Sequence, residues 1–145
     1  FGTEESGWVS WFCNAIFNDL PLTIYGDGKQ IRDPLWVDDL CSLFEKQMNN
    51  IDEYSGNIYN IGGGKSNRVS LLEVIEYLEK ITNKKANIKF ERARPADLKV
   101  YYTNMNKIYQ VSDWRPSTSV NKGIDKIISF LADSNVNELI KEEKT

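Results

Sequence analysis

Two arginines in separate segments are the side chains of this sequence best suited to bind a phosphorylated ligand. Arg32 follows a strand-like T-I-Y and the two-glycine turn Y-G-D-G-K, and Arg94 lies in the loop R-A-R-P-A-D. A guanidinium offers a planar fork of donors that matches phosphate, and its charge-assisted hydrogen bonds are stronger than neutral ones. Two such loops could bind a diphosphate from two sides, while Asp97 accepts a hydrogen bond from a sugar hydroxyl.

Spacing alone leaves other interpretations of these residues open. Each arginine could instead pair with a neighbouring acid on a solvated surface, where ion pairs contribute little. Tyr25 could be an aromatic ligand contact or a packed strand residue. Tyr25 and Lys29 match the Y-x-x-x-K spacing of a reductase catalytic pair, but that pair needs a helix to place both side chains on one face. These two residues flank a Gly-Asp-Gly turn, so we assign no catalytic residue to the chain.

The glycine run Gly62-Gly63-Gly64 lies between a predicted strand and a predicted helix, where a dinucleotide-binding loop would lie. It does not fit that motif, because Asn67 occupies the third glycine position and no acidic residue follows at a strand end about 20 residues on. The run is then either a turn of the chain or a weak phosphate-binding loop. Asn67 is a further candidate for ligand contact, and we assign no cofactor-binding or metal-binding residue.

The absence of histidine among 145 residues narrows the chemistry open to this chain. It excludes Ser-His or Cys-His nucleophilic machinery and most zinc sites within the chain. The consecutive acids Asp38 and Asp39 lie in the first turn of a predicted helix, where a favourable interaction with the helix dipole explains them. Cys13 and Cys41 lie in apolar helical patterns and are expected to be reduced core cysteines.

Composition excludes two classes of partner. The net charge is −3, whereas a nucleic-acid surface would show a basic patch or stripe. Apolar runs are shorter than the roughly 18 residues that indicate a membrane span. We therefore expect a cytoplasmic protein that contacts neither nucleic acid nor membrane.

Hydrophobic periodicity predicts alternating helices and strands. Helices are expected over residues 8–17, from Val37 to Met48, from Ser70 to Ile81, from Met105 to Gln110 and from Val120 to Leu131, and strands over residues 22–25, 30–33, 57–61, 87–91 and 100–103. About five helices with few short strands indicate an α/β or α+β architecture that resembles part of a larger sheet protein or a small mixed domain. Residues 136–145 are expected to form a frayed tail.

Several motifs together resemble one known family. They are Y-G-D-G-K-Q-I-R-D-P-L-W-V-D-D-L, I-Y-N-I-G-G-G, S-L-L-E, R-P-A-D and D-W-R-P, which span nearly the whole chain. In this order they resemble the C-terminal part of the extended short-chain dehydrogenase/reductase family of nucleotide-sugar epimerases and dehydratases. The opening F-G-T-E-E-S-G-W-V-S-W-F is most similar to the CDP-tyvelose (CDP-paratose) 2-epimerase branch of that family.

The resemblance implies an α/β fold that forms the C-terminal substrate-binding portion of an extended Rossmann-type epimerase. Residues 1–145 would be one substrate-binding domain, and the N-terminal NAD-binding domain would be absent. Arg32 and Arg94 would hold the diphosphate of a nucleotide sugar, with Asn67 near its phosphates. Tyr25 would lie near the base and Asp97 near the ribose.

The activity implied by the resemblance is epimerisation by transient oxidation and re-reduction of a sugar carbon. NAD would be bound by the missing N-terminal domain, and this chain alone would not catalyse. We expect a homo-oligomer, and an isolated chain that exposes an apolar edge and self-associates. A nucleotide-sugar 4-epimerase or 4,6-dehydratase, a non-catalytic nucleotide-sugar-binding module and a scaffold domain without ligand are the alternatives.

Overall fold

The computed structural model describes residue 3 and residues 7–133, so the predicted tail over 136–145 lies outside the described residues. The described chain contains six α-helices and four short strands, as expected for the predicted α/β class. It divides into two compact units that are each assembled from segments distant in sequence. Of the described residues, the first unit comprises those up to Lys29, Leu71–Asp97 and those from Asn121 onward, and the second comprises Gln30–Ser70 and Leu98–Val120.

The first unit is built on a pair of parallel strands. Strand β1 (Pro21–Tyr25) pairs with β4 (Asn87–Glu91), with Pro21 opposite Asn87 and Tyr25 opposite Glu91. Helix α1 (Trp8–Phe17) packs against β1 and against helix α4 (Leu71–Thr82). The last helix of the described chain, α6 (Val120–Ala132), belongs to this unit from residue 121 onward.

Alternate residues of β1 form the centre of the first unit's core. Leu22 and Ile24 are fully buried, as the period of two in a strand requires. The helices add buried apolar side chains, namely Phe12, Cys13, Ile16, Val74, Ile75, Leu78, Ile124 and Leu131. Burial raises the pKa of the Cys13 thiol to about 12, so the thiol stays protonated at neutral pH. The prediction of a core cysteine is confirmed for Cys13.

The second unit contains a short antiparallel pair and most of the irregular chain. Strand β2 (Ile31–Arg32) pairs with β3 (Val69–Ser70), and Ile31 also forms an isolated parallel bridge with Val100. Its helices are α2 (Val37–Asn49), α3 (Ile51–Tyr54) and α5 (Asn106–Val111), and a 3₁₀ turn covers Lys65–Asn67. A buried cluster of Leu43, Tyr54, Met105, Ile108 and Trp114 forms the core.

The prediction of a strand over residues 57–61 is wrong, because the structure has irregular chain there. These residues have no ladder partner within the described chain, and the Ile58 side chain is 85% exposed. A strand needs a neighbouring backbone to satisfy its N–H and C=O groups, and apolar residues alone do not supply one.

Helix α2 forms where it was predicted but presents a different face to the core. The predicted apolar stripe is largely exposed, with Phe44 52% and Met48 70% accessible. Leu43 and the carboxylate of Asp39 are buried instead. Cys41 is exposed on this helix, so its assignment as a core cysteine is wrong.

The other predicted elements agree with the structure to within a residue or two, except the strand expected over residues 100–103. Within the described chain that segment forms only the isolated bridge of Val100 with Ile31. The helix predicted from Ser70 begins at Leu71, and the helix predicted from Met105 begins at Asn106. Helix α3 was not predicted. Among the residues that the structure describes, no helix is long and apolar enough to cross a bilayer.

Candidate functional site

Tyr25 and Arg94 meet in the first unit, at the carboxyl ends of the parallel strands. The pairing of β1 with β4 continues one residue past Tyr25, where the Gly26 N–H donates to the Glu91 carbonyl over 3.0 Å. The chain leaving β4 then returns over β1, and the centre of the Arg94 guanidinium lies 4.1 Å from the centroid of the Tyr25 ring. The guanidinium lies over the face of the ring, within the distance of a cation–π interaction.

Arg94 uses its guanidinium for no other contact within the described chain. No hydrogen bond or ion pair joins that group to any described residue. Arg92, two residues earlier in the same loop, makes no described side-chain contact at all. Arg94 is therefore the arginine of this loop that is held in place with its donors available.

A tight turn fixes the distance between Arg94 and Asp97. The Asp97 N–H donates to the Arg94 carbonyl over 3.3 Å, with Pro95 and Ala96 between them. Ala96 has a φ of 61°, which type II turns require at their third position and usually obtain from glycine. Asp97 is exposed, so the turn presents a carboxylate beside the stacked arginine.

The glycine turn after β1 holds Tyr25 in position. Gly26 and Gly28 have φ values of 89° and 73°, which glycine adopts without steric cost. The Gly28 carbonyl accepts a hydrogen bond from Leu72 over 3.1 Å. Because this segment is a turn, Tyr25 and Lys29 do not share a helix face.

Arg32 lies in the second unit, at the end of β2. One terminal nitrogen, Nη1, donates to the carbonyls of Ile31 and Leu98, each over 2.7 Å. The neighbouring Asp33 is buried, and its Oδ2 accepts from Gly64 N (2.9 Å) and Thr103 N (2.8 Å). These contacts fix the direction of the Arg32 side chain through backbone groups.

Asn67 is buried in the second unit and anchors a loop. Its side-chain nitrogen donates to the Thr118 carbonyl over 3.0 Å. This contact pins the 3₁₀ turn over Lys65–Asn67, the segment that directly follows the three glycines. Tyr25, Arg94 and Asp97 thus lie in the first unit, and Arg32 and Asn67 in the second.

The three glycines are packed rather than open. A Cβ on Gly62 would lie 2.6 Å from the Asp33 carboxylate, and one on Gly63 would overlap the Pro34 carbonyl oxygen. The run leads into a 3₁₀ turn instead of the start of an α-helix, so the donors that bind a dinucleotide phosphate are not arranged here. The run therefore does not fit the dinucleotide phosphates of NAD, and it bends the chain, as one of its two interpretations predicted.

Sequence reasoning missed the role of Asp39. Its carboxylate accepts hydrogen bonds from Ser117 Oγ (2.6 Å) and Thr118 N (3.0 Å), and its backbone carbonyl accepts from the Trp114 indole (2.9 Å). Burial acts to raise the pKa of this carboxyl, but the hydrogen bonds from Ser117 and Thr118 together lower the pKa below its ordinary value. Position in the first helical turn was the only available signal, and it does not reveal partners almost eighty residues away.

These residues can bind and orient an anion but form no described catalytic centre. Within residue 3 and residues 7–133, no group of three or more Cys, Asp or Glu side chains could hold a metal ion. The side-chain groups of this set are two guanidiniums, one carboxylate, one carboxamide and one aromatic ring. Such a set suits a ligand that has phosphates, hydroxyls and a ring.

Comparison with known proteins decides the family. The family model described as GDP-mannose 4,6 dehydratase matches residues 9–127, which is more than half of the chain. The chain belongs to this family of extended short-chain dehydrogenases/reductases. The resemblance drawn from the motifs is confirmed.

Two relatives show how far the match extends. The CDP-paratose 2-epimerase of Salmonella typhi is 37% identical over 135 residues, which cover 90% of this chain and 40% of that protein. The UDP-glucuronate 4-epimerase of Thermodesulfobacterium geofontis is 32% identical over 133 residues, which cover 92% of this chain and 39% of that protein. The chain therefore spans about two fifths of the length of these relatives.

A solved structure agrees with the fold. The UDP-glucuronic acid 4-epimerase from Bacillus cereus, in complex with UDP-glucuronic acid and NAD, superposes with a TM-score of 0.74 at 29% identity. The match covers 85% of this chain and 40% of that one. The expected likeness to part of a Rossmann-type epimerase is confirmed, and NAD is the cofactor that accompanies this family member.

Proposed function

We propose that this chain supplies the nucleotide-sugar-binding part of an NAD-dependent epimerase of the CDP-tyvelose (CDP-paratose) 2-epimerase type. The observation that carries the proposal is Arg94, which is stacked on Tyr25 with its hydrogen-bonding edge unused by described residues. An arginine fixed in this way loses little conformational freedom when it binds a phosphate. The identity of 37% to a CDP-paratose 2-epimerase supports the choice of nucleotide and sugar.

Each proposed contact uses a group whose chemistry fits its part of the ligand. The guanidinium groups of Arg32 and Arg94 donate to the diphosphate, and Asp97 accepts from a ribose hydroxyl. Tyr25 lies near the base. Asn67 is the proposed contact near the phosphates, since an amide nitrogen has a second hydrogen beyond the one donated to Thr118.

The contribution of this chain to the reaction is positioning and electrostatics. The proposed reaction is transient oxidation and re-reduction of a sugar carbon, for which NAD is the redox partner. Because the glycine run does not fit the phosphates of NAD, we assign the described residues no part in hydride transfer. They would hold the diphosphate so that the sugar is presented in one orientation.

A 4-epimerase acting on a UDP-sugar is the second candidate. The 32% identity to a UDP-glucuronate 4-epimerase and the structural match to a second such enzyme favour it. The two candidates differ in the base, so a panel of nucleotide sugars separates them.

The test is isothermal titration of the chain with CDP-paratose, UDP-glucuronate, dTDP-glucose and GDP-mannose. We expect saturable binding that is tightest for the CDP-sugar, and Arg32→Ala should weaken it by roughly 1–3 kcal/mol. Tighter binding of UDP-glucuronate than of CDP-paratose would reject the 2-epimerase and favour the 4-epimerase. Binding of none of the four ligands would reject both candidates.

A further inference from the structure

A basic groove with no assigned role opens on the second unit. Its volume is about 630 Å³, which lies within the range of small-molecule sites. One wall is formed by residues 64–66 with Arg68, and the other by residues 102–106 with Tyr109. None of the five proposed nucleotide-sugar contacts lines it, and the proposed function assigns no role to its charged lining residues.

The positive charge of the groove does not follow from the amino-acid composition of the second unit or of the chain. Lys65 and Arg68 are its charged lining residues, and no acidic side chain lines it. The second unit as a whole has seven basic and seven acidic residues, and the chain is net acidic. Within the described residues, neither Lys65 nor Arg68 makes a side-chain hydrogen bond or ion pair. Two positive charges therefore face one cavity without a neutralising carboxylate.

Buried hydrogen bonds hold the two walls of the groove together. A single carboxylate, that of Asp33, accepts from the Gly64 N–H of one wall and the Thr103 N–H of the other. The Asn67 side chain, between Lys65 and Arg68 in sequence, points away to the Thr118 carbonyl. The backbone that bears both cations is thus fixed before any ligand binds, which lowers the entropic cost of binding.

Aromatic side chains complete the lining. Tyr102 and Tyr109 face the same cavity as the two cations. The guanidinium of Arg115 lies 3.8 Å from the centroid of the Tyr109 ring, which adds positive charge beside the groove. Phosphate suits the cations and the Ser66 hydroxyl, while a planar base suits the tyrosine rings.

We propose that this groove is a second binding site, which takes a free nucleoside diphosphate. The phosphates contact Lys65 and Arg68, and the base lies against Tyr102. The groove is open to solvent, so the binding is reversible and depends on ionic strength.

The test is an NMR titration of ¹⁵N-labelled chain with UDP, with uridine and inorganic pyrophosphate as comparison probes. Backbone amides of residues 64–66 and 102–106 should shift saturably with UDP, more weakly with pyrophosphate and not with uridine. The double variant Lys65→Ala/Arg68→Ala should weaken UDP binding at these amides by at least about tenfold. Both side chains are exposed, so an unchanged spectrum away from the groove will show that the variant folds.

The double variant Lys80→Ala/Lys99→Ala is the matched control, because it removes the same charge from exposed positions outside the groove. If both double variants weaken UDP binding equally, the effect comes from net charge and the proposed site is wrong. Absence of any shift at the groove amides with UDP would also overturn the proposed site. If pyrophosphate binds as tightly as UDP, the base makes no contribution and a nucleoside diphosphate is not the specific ligand. Arg94→Ala should leave the groove titration unchanged, so this proposal and the proposed function fail separately.

Discussion

At the scale of single residues, the stack between Arg94 and Tyr25 is the feature that gives the arginine loop a definite chemistry. Arg92 and Arg94 are both exposed cations of one loop. Only Arg94 lies over an aromatic ring, at 4.1 Å from its centroid. The sequence predicted Tyr25 and Arg94 as separate ligand contacts but could not predict their stack, because it depends on the parallel pairing of β1 with β4.

Arg94→Ala should therefore weaken nucleotide-sugar binding by roughly 1–3 kcal/mol, the range for loss of charge-assisted hydrogen bonds. Arg92→Ala is the control from the same loop and should change the affinity little. Arg94→Lys should be intermediate, because an ammonium retains charge but lacks the planar fork. Titration calorimetry measures all three, and equal effects of the alanine variants would show that only total loop charge matters.

Asp39 is the residue whose role the sequence understated. Asp39→Asn should lower the free energy of unfolding by about 1–3 kcal/mol at pH 7, because an NH₂ group replaces one buried acceptor of the hydrogen bonds from Ser117 and Thr118. Asp38→Asn is the control, since the Asp38 carboxylate accepts from the partly exposed Trp36 indole. Urea denaturation measures both variants, and equal stability of the two would contradict this account.

The same variant has a pH signature. The pKa of the Asp39 carboxyl is lower in the folded chain than its ordinary value, so its contribution is complete above the unfolded pKa near 3.9. That contribution is lost as the pH falls through the folded pKa. The difference in stability between wild type and Asp39→Asn should shrink as the pH falls below about 4, and a difference that grows toward low pH would contradict the assignment.

At the scale of elements, the glycine run shows what the sequence predicts and what it leaves out. Because Gly62-Gly63-Gly64 does not match a dinucleotide-binding motif, the sequence predicted a turn there, and the structure has a turn. The reason for three consecutive glycines came from the structure. Atoms of Thr103, Asp33 and Pro34 occupy the space that side chains on Gly62 and Gly63 would need, and Gly64 has a φ of 70° and lies against Met105. The strand expected over residues 57–61 failed for the opposite reason, since its apolar pattern is real but no described strand lies beside it.

Gly63→Ala should lower the free energy of unfolding by about 1–3 kcal/mol through overpacking. Gly63 does not have a positive φ, so the effect would be steric. Gly56→Ala is the control, because its Cβ would meet nothing within 4 Å and only its φ of 71° opposes the change. Hydrogen exchange at the Gly64 and Thr103 amides should accelerate in Gly63→Ala alone. Unchanged protection of those amides in Gly63→Ala would contradict the packing account.

At the scale of the whole molecule, large apolar side chains remain exposed on α2 and beyond it. Val37, Phe44, Met48, Ile51 and Ile58 are each more than half accessible. Phe44 and Met48 are one helical turn apart and share a face of α2, and exposed apolar surface of this kind marks a contact site or promotes association. The sequence predicted that α2 is a helix. It did not predict which face of the helix points to the core, because that face is set by the hydrogen bonds of Asp39 and the packing of Leu43.

We predict that the chain self-associates in a concentration-dependent way, and that Phe44→Ser/Met48→Ser reduces the association with little change in stability. Val111→Ser, an exposed apolar position on α5, is the control and should leave the association unchanged. Light scattering over a concentration series measures the effect. A monomer at every concentration in wild type, or equal association of the Phe44/Met48 variant, would reject the prediction.

The central claim is that this chain binds a nucleoside-diphosphate sugar through Arg32 and Arg94. Its most direct test is calorimetric titration of a CDP-sugar into wild type and into Arg32→Ala/Arg94→Ala. The account predicts saturable one-to-one binding in wild type and a loss of roughly 2–6 kcal/mol in the double variant if the two single losses add. No binding in wild type, or an affinity that the double substitution leaves unchanged, would contradict it.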